Sequence, residues 1–134
     1  MKKKAEAHLR LAEGFIKTAE VRGSCSEFEI RNAFSRVYYA LFHACYAHLL
    51  GIGTDAAEAE EIARDHGRLH SSMRQPIGKQ FERFLRDAYE RRRQSDYRPE
   101  WAVPAFDAVR EELKRATTQF YWLLSTTRSS LRDH

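Results

Sequence analysis

Apolar residues recur at three- and four-residue spacing along most of the chain, and no segment sustains a period of two, so the pattern predicts helices throughout. In a first helix, about Lys4 to Val21, the residues Ala5, Leu9, Ala12, Ile16 and Ala19 form one stripe. Gly23-Ser24-Cys25-Ser26 breaks it. Ser26 and Glu29 then match a capping box, which starts a second helix at about Glu27 that runs to Leu50 and stops at Gly51-Ile52-Gly53. Thr54 and Asp55 can cap a short helix through about Ala63, His66-Gly67 interrupts it, and Arg68 to Gln75 form another helical piece before Pro76. A further long helix, about Gly78 to Ser95, carries Phe81, Phe84, Leu85 and Ala88 on one side. Pro104 can open a final helix in which Phe106, Val109, Leu113, Ala116, Phe120 and Leu123 keep helical spacing. Thr126 to His134 read as a frayed polar tail beyond a domain of residues 1–125. Four long amphipathic helices with short connections predict an all-α fold, a four- to five-helix up-and-down antiparallel bundle.

The second helix is unusual. Ile30, Phe34, Val37, Tyr38, Leu41, Phe42, Ala44 and Cys45 cover most of its circumference. Such a helix is either central or pressed against a second subunit, and with four long helices in the chain the second option predicts a homodimer.

Composition narrows the classes. A chain of 134 residues, 43% hydrophobic and 31% charged, suits one globular domain rather than a disordered segment. The longest apolar run, Val37 to Phe42, is far short of the ~20 residues of a membrane span. Lys2, Lys3 and Lys4 are followed by no apolar signal region, which points to a cytoplasmic protein. Cys25 and Cys45 sit in no metal-binding or disulfide pattern, and no cofactor is expected. The net charge of +4 is mild, but Arg83 to Arg98 hold six arginines and three acids and so concentrate +3 of it.

Two sets of polar residues fall on faces that should be dry. At ~100° per residue, Asn32, Arg36, Tyr39 and His43 form a row within an arc of about 60° on the second helix. They line either a solvated stripe or a polar cleft. Arg92 continues the apolar stripe of Phe81, Leu85 and Ala88, and a guanidinium there must be paired or face a ligand. Asp96, one turn on, is its candidate partner, and a phosphate is the candidate ligand. Tyr89 and Tyr97, interleaved with the arginines, can stack on bases. His66 and His70 lack the glutamate of a metalloprotease helix and read as surface or capping residues.

The segment Asn32-Ala33-Phe34-Ser35-Arg36-Val37-Tyr38-Tyr39-Ala40-Leu41-Phe42-His43 resembles the S-R-x-Y-Y-A-x-F-H signature of HEPN domains, the higher eukaryote and prokaryote nucleotide-binding family. His66-Gly67 and Arg92-Arg93-Gln94-Ser95-Asp96-Tyr97, the latter similar to R-x-x-A-D-Y, follow in the family's order. The resemblance covers roughly residues 5 to 125. It implies a dimerising helical bundle with a cleft near the two-fold axis. Many members are metal-independent ribonucleases, often toxins paired with a minimal nucleotidyltransferase antitoxin, in which an Arg-x4–6-His motif holds phosphate and moves a proton. This chain departs from that motif: Asp96 and Tyr97 stand where the histidine is expected after Arg91, Arg92 or Arg93.

Two functions follow. In the first, a cytoplasmic dimer binds RNA or a nucleotide in a basic cleft, as part of a toxin–antitoxin or defence pair. Arg92, with Arg93 beside it, meets phosphate, Asp96 orients Arg92, and Tyr97 contacts base or ribose. Asn32, Arg36 and Tyr39 form a second wall, and His43 is the general base if RNA is cleaved. In the second, the same polar groups are a buried network within a non-catalytic dimerisation or interaction module.

Overall fold

The computed structural model describes residues 2–19, 21 and 26–133; the break expected at Gly23-Ser24-Cys25 lies outside them. Among the described residues six helices follow one another: α1 (Lys2–Lys17), α2 (Glu27–Gly51), α3 (Ala56–Arg64), α4 (His66–Ser72), α5 (Lys79–Tyr97) and α6 (Phe106–Asp133). The fold is all-α and bundle-like, with six helices where the pattern predicted four or five, and no strand among the described residues. None of these helices is long and apolar enough to cross a membrane.

Local chemistry explains the boundaries. Ser26 and Glu29 close the capping box at the start of α2, with the Ser26 hydroxyl accepting from the Glu29 N–H at 3.2 Å. Gly53, at φ +93°, takes the left-handed turn after α2 that a side chain would resist. The break between the two short helices falls at Asp65 rather than at His66-Gly67. Asp65 accepts from the Arg68 N–H at 3.1 Å, so His66 and Gly67 become the first turn of α4.

α2 is the centre of the molecule. Contacts with α1, α5, α6 and α3 cover its apolar circumference, and Tyr38, Leu41, Ala44, Cys45 and Ala47 have no exposed surface. Most of its apolar circumference is thus covered within one chain, while Phe28 in its first turn stays exposed. Along α1 and α2 the contacts run in opposite chain order, Thr18 meeting Arg36 and His8 meeting His43. Arg31 against Ser95 and Tyr38 against Tyr89 give the same order for α2 and α5. Arg91 with Glu112 and Phe81 with Trp122 repeat it for α5 and α6.

The frayed tail is a correction. α6 continues through Asp133, because the stripe of Phe120 and Leu124 goes on through Thr127 and Leu131, all four buried. The Thr127 hydroxyl lies 3.0 Å from His48 Nδ1 on α2. Removing residues 126–134 should therefore cost about 3 kcal/mol, from one buried leucine and one buried hydrogen bond. Urea unfolding of the shortened chain checks this, and an unchanged midpoint would refute it.

Candidate functional site

The site begins with a constraint on α2. Because most of its surface is covered, the buried polar side chains it carries need partners from the elements around it. Arg31 finds them at the end of α5. Its Nη1 donates to the carbonyls of Gln94, Ser95 and Arg98, each at 3.0 Å. Its Nη2 donates to those of Pro99 (3.2 Å) and Trp101 (2.8 Å). α5 has no basic residue in its own last turn, so a cation from α2 takes up the free carbonyls there. This fastens the segment from Arg92 to Trp101 against α2.

Arg92 projects from that segment into a box of tyrosines. The rings of Tyr38, Tyr39, Tyr89 and Tyr97 all lie 5.4 to 5.7 Å from its guanidinium carbon. Nη1 donates to the Tyr39 hydroxyl at 3.2 Å and to Asp96 Oδ2 at 3.3 Å, while Nε is buried without a partner among the described residues. Ser35 donates to the same carboxylate oxygen at 3.3 Å. Burial works against the charge of Arg92, but Tyr97, Tyr39 and Asp96 outweigh it and hold its pKa above the ordinary value. The result is a permanent cation, 6% exposed, with donor capacity left over.

Behind the box stands a second network. The Tyr38 hydroxyl is 2.6 Å from His66 Nδ1 and 2.9 Å from His70 Nε2. Burial raises the Tyr38 pKa and keeps the phenol protonated. With one proton to give, it donates to one imidazole and accepts from the other, which couples the two rings' tautomers. Burial, then the nearby Arg92 cation, lowers the pKa of His66. Burial, then Arg86 and His66, lowers that of His70 to about 4. Tyr89 closes the group, its ring centre 4.6 Å from that of His66.

The row expected along α2 divides between two neighbours. Tyr39 meets Arg92. Arg36 instead donates to Thr18 Oγ1 at 2.9 Å, beyond the end of α1, and Asn32 is exposed. His43 faces α1, with its Nδ1 2.9 Å from His8 Nδ1 and its ring stacked on Phe15. No hydrogen bond among the described residues joins His43 to Arg92; Tyr39 lies between, its ring 5.7 Å from Phe15 on one side and 5.5 Å from Arg92 on the other. Arg93 is exposed beside Tyr89 and Glu90.

Sequence patterns give Arg31 no role, place Tyr38 on the apolar circumference, and read His66 and His70 as surface or capping residues, whereas Tyr38 and His70 are buried. The i, i+4 spacing of His66 and His70 on one short helix was the available signal, but that alone does not distinguish an imidazole pair facing solvent from one facing a buried phenol. Among the described residues no group of three or more His, Cys, Asp or Glu side chains is gathered closely enough to hold a metal ion. No family model matches the chain, and no curated protein matches it.

The histidines set a pH dependence. Burial, then His8, lowers His43 to about 4 from an ordinary 6.5, and burial, then Lys4, lowers His8. A histidine harder to protonate folded than unfolded contributes stability above its unfolded pKa and loses it as the pH falls through its folded one. Stability should therefore be level above about pH 7 and decline between about pH 6.5 and 4. His8→Phe, which keeps a ring against Tyr46 but removes one titrating group, should flatten part of that decline. Denaturant titrations across the range test it; an unaltered slope would count against the His8–His43 pair.

Proposed function

We propose that the chain is a HEPN-like, cytoplasmic phosphate-binding domain, an up-and-down antiparallel bundle that dimerises and engages RNA or a nucleotide at Arg92. The supporting observation is the guanidinium itself. It is buried, permanently charged and held by Asp96, and it keeps an unpartnered Nε among four aromatic rings. A phosphate oxygen suits such a fork, and tyrosine rings beside it suit the base or ribose that follows. The S-R-x-Y-Y-A-x-F-H likeness points the same way. Its Tyr38 and Tyr39 border the guanidinium, and Arg92, Asp96 and Tyr97 are the residues of the R-x-x-A-D-Y-like motif. By that likeness, the functional setting is a toxin–antitoxin or defence pair with a nucleotidyltransferase partner.

A second reading has its own observation. Ser35, Asp96, Arg92 and Tyr39 form one connected network between α2 and α5, as a non-catalytic interaction module would use to fix its geometry. The two part company at Arg92→Met. Loss of a phosphate contact should weaken binding of a mixed-sequence single-stranded RNA by about tenfold and reduce the salt slope by about one. A gel shift over a range of salt concentrations reads both. Lower stability with unaltered RNA affinity would favour the interaction module. Light scattering should give the mass of a dimer at micromolar concentration, and a monomer would remove dimerisation from the proposal.

A further inference from the structure

A shallow, open groove adjoins the Arg92 box. It runs between α2 and the α3–α4 pair, has a volume of about 380 Å³, and is lined by Tyr39, Phe42, Tyr46, Glu60, Ala63, Arg64 and His66. That is near the lower end of small-ligand pockets and suits a single nucleotide unit rather than a length of polymer. Tyr39 and His66 belong to both places. Tyr39 lines the groove while accepting from Arg92, and His66 lines it while bound to Tyr38, the ring next to Arg92. A phosphate at Arg92 is thus one tyrosine side chain away from an open groove with four aromatic rings along it. In a nucleotide, phosphate and base are separated by a single sugar.

The rim supplies polarity in a defined order. Glu60 and Arg64 stand one turn apart on α3, with Arg64 Nη2 3.0 Å from Glu60 Oε1 and most of the arginine and half of the glutamate side chain exposed, at 73% and 51%. They present an acceptor beside a donor. The pairing edge of guanine carries the complement, two adjacent N–H donors followed by the O6 acceptor. A carboxylate takes the N1 and N2 hydrogens and a guanidinium donates to O6. Adenine opposes that carboxylate with the lone pair of its N1.

We propose that this groove is a guanine-base pocket. The proposal rests on the reading of Arg92 as a phosphate anchor: the base lies against Tyr39, Phe42 and His66, Glu60 and Arg64 read its edge, and the phosphate is carried at Arg92. The preferred ligand is therefore a guanine nucleotide, free or as one residue of an RNA. Glu60 is an exposed helix position, so its replacement leaves the packing of the core untouched.

Titration of the full chain with GMP, AMP, CMP and UMP, followed by calorimetry, tests the pocket. GMP should bind about tenfold more tightly than AMP, and Glu60→Ala should erase that preference chiefly by weakening GMP. Equal affinities in the unmodified chain, a preference that survives Glu60→Ala, or no binding of any of the four would overturn the guanine pocket. The underlying phosphate reading is tested separately by guanosine, which should bind about tenfold more weakly than GMP. Equal binding of guanosine and GMP would remove the phosphate from Arg92, with no variant needing to fold. Equal affinities for the four nucleotides in the unmodified chain, with the Arg92-dependent RNA gel shift retained, would reject the pocket alone.

Discussion

The enclosure of α2 is the constraint on which the rest depends. A helix with apolar residues on nearly all sides must be covered, and here α1, α5, α6 and α3 cover it. Once that happens, its polar groups lose water. Arg31, Tyr38, Tyr39, His43 and His48 then have to be satisfied by the helices that enclose them, and each is: by the α5 carbonyls, His66 and His70, Arg92, His8 and Thr127 respectively. Every neighbour of α2 except α3 is therefore joined to it by at least one such polar contact or, for α4, held to it by two. Apolar packing brings the helices together, and these bonds decide their register, since an unmade one leaves a buried donor or acceptor without water.

The same enclosure makes the candidate site. Arg31 holds the end of α5 by its carbonyls, and α5 in turn presents Arg92, Asp96 and Tyr97 to the tyrosines of α2. The guanidinium of Arg92 is buried in polarizable ring faces rather than aliphatic packing, with Asp96 and the Tyr39 hydroxyl as its partners. This keeps the cost of burying its charge tolerable. Tyr38 joins that arrangement to the two histidines of α4. A change in the protonation of His66 is thereby felt at His70 through one phenol, and the Arg92 cation bears on it electrostatically.

Much of the fold was legible in the sequence because the cues were local. The Ser26–Glu29 box, the Gly51-Ile52-Gly53 stop and the apolar stripes each act within a turn or two of backbone. Thr126 to His134 misled because two polar threonines and two serines dilute a stripe whose apolar members are widely spaced. Leu131 is covered and Thr127 finds His48 only when α2 is alongside. Arg92 was legible as an anomaly, a charge on a dry face, whereas the division of the Asn32–Arg36–Tyr39–His43 row was not. Four residues on one arc of a helix share a direction, but which neighbour each meets depends on where α1 ends and how α5 crosses.

What the sequence by itself determined is the all-helical character, the nearly all-round apolar surface of α2, and Asp96 as a candidate partner for Arg92 one turn away. These follow from periodicity and from interactions short enough in the chain to be read directly. Tertiary structure put α1, α3, α5 and α6 around α2 within one chain. It also brought Tyr38 to His66 and His70, took His43 to His8 on the α1 side of Tyr39, and set the Glu60–Arg64 rim beside the tyrosines. Those neighbours are separated by tens of residues, and only the packing of whole helices puts such groups within the three ångströms or so at which hydrogen bonds act.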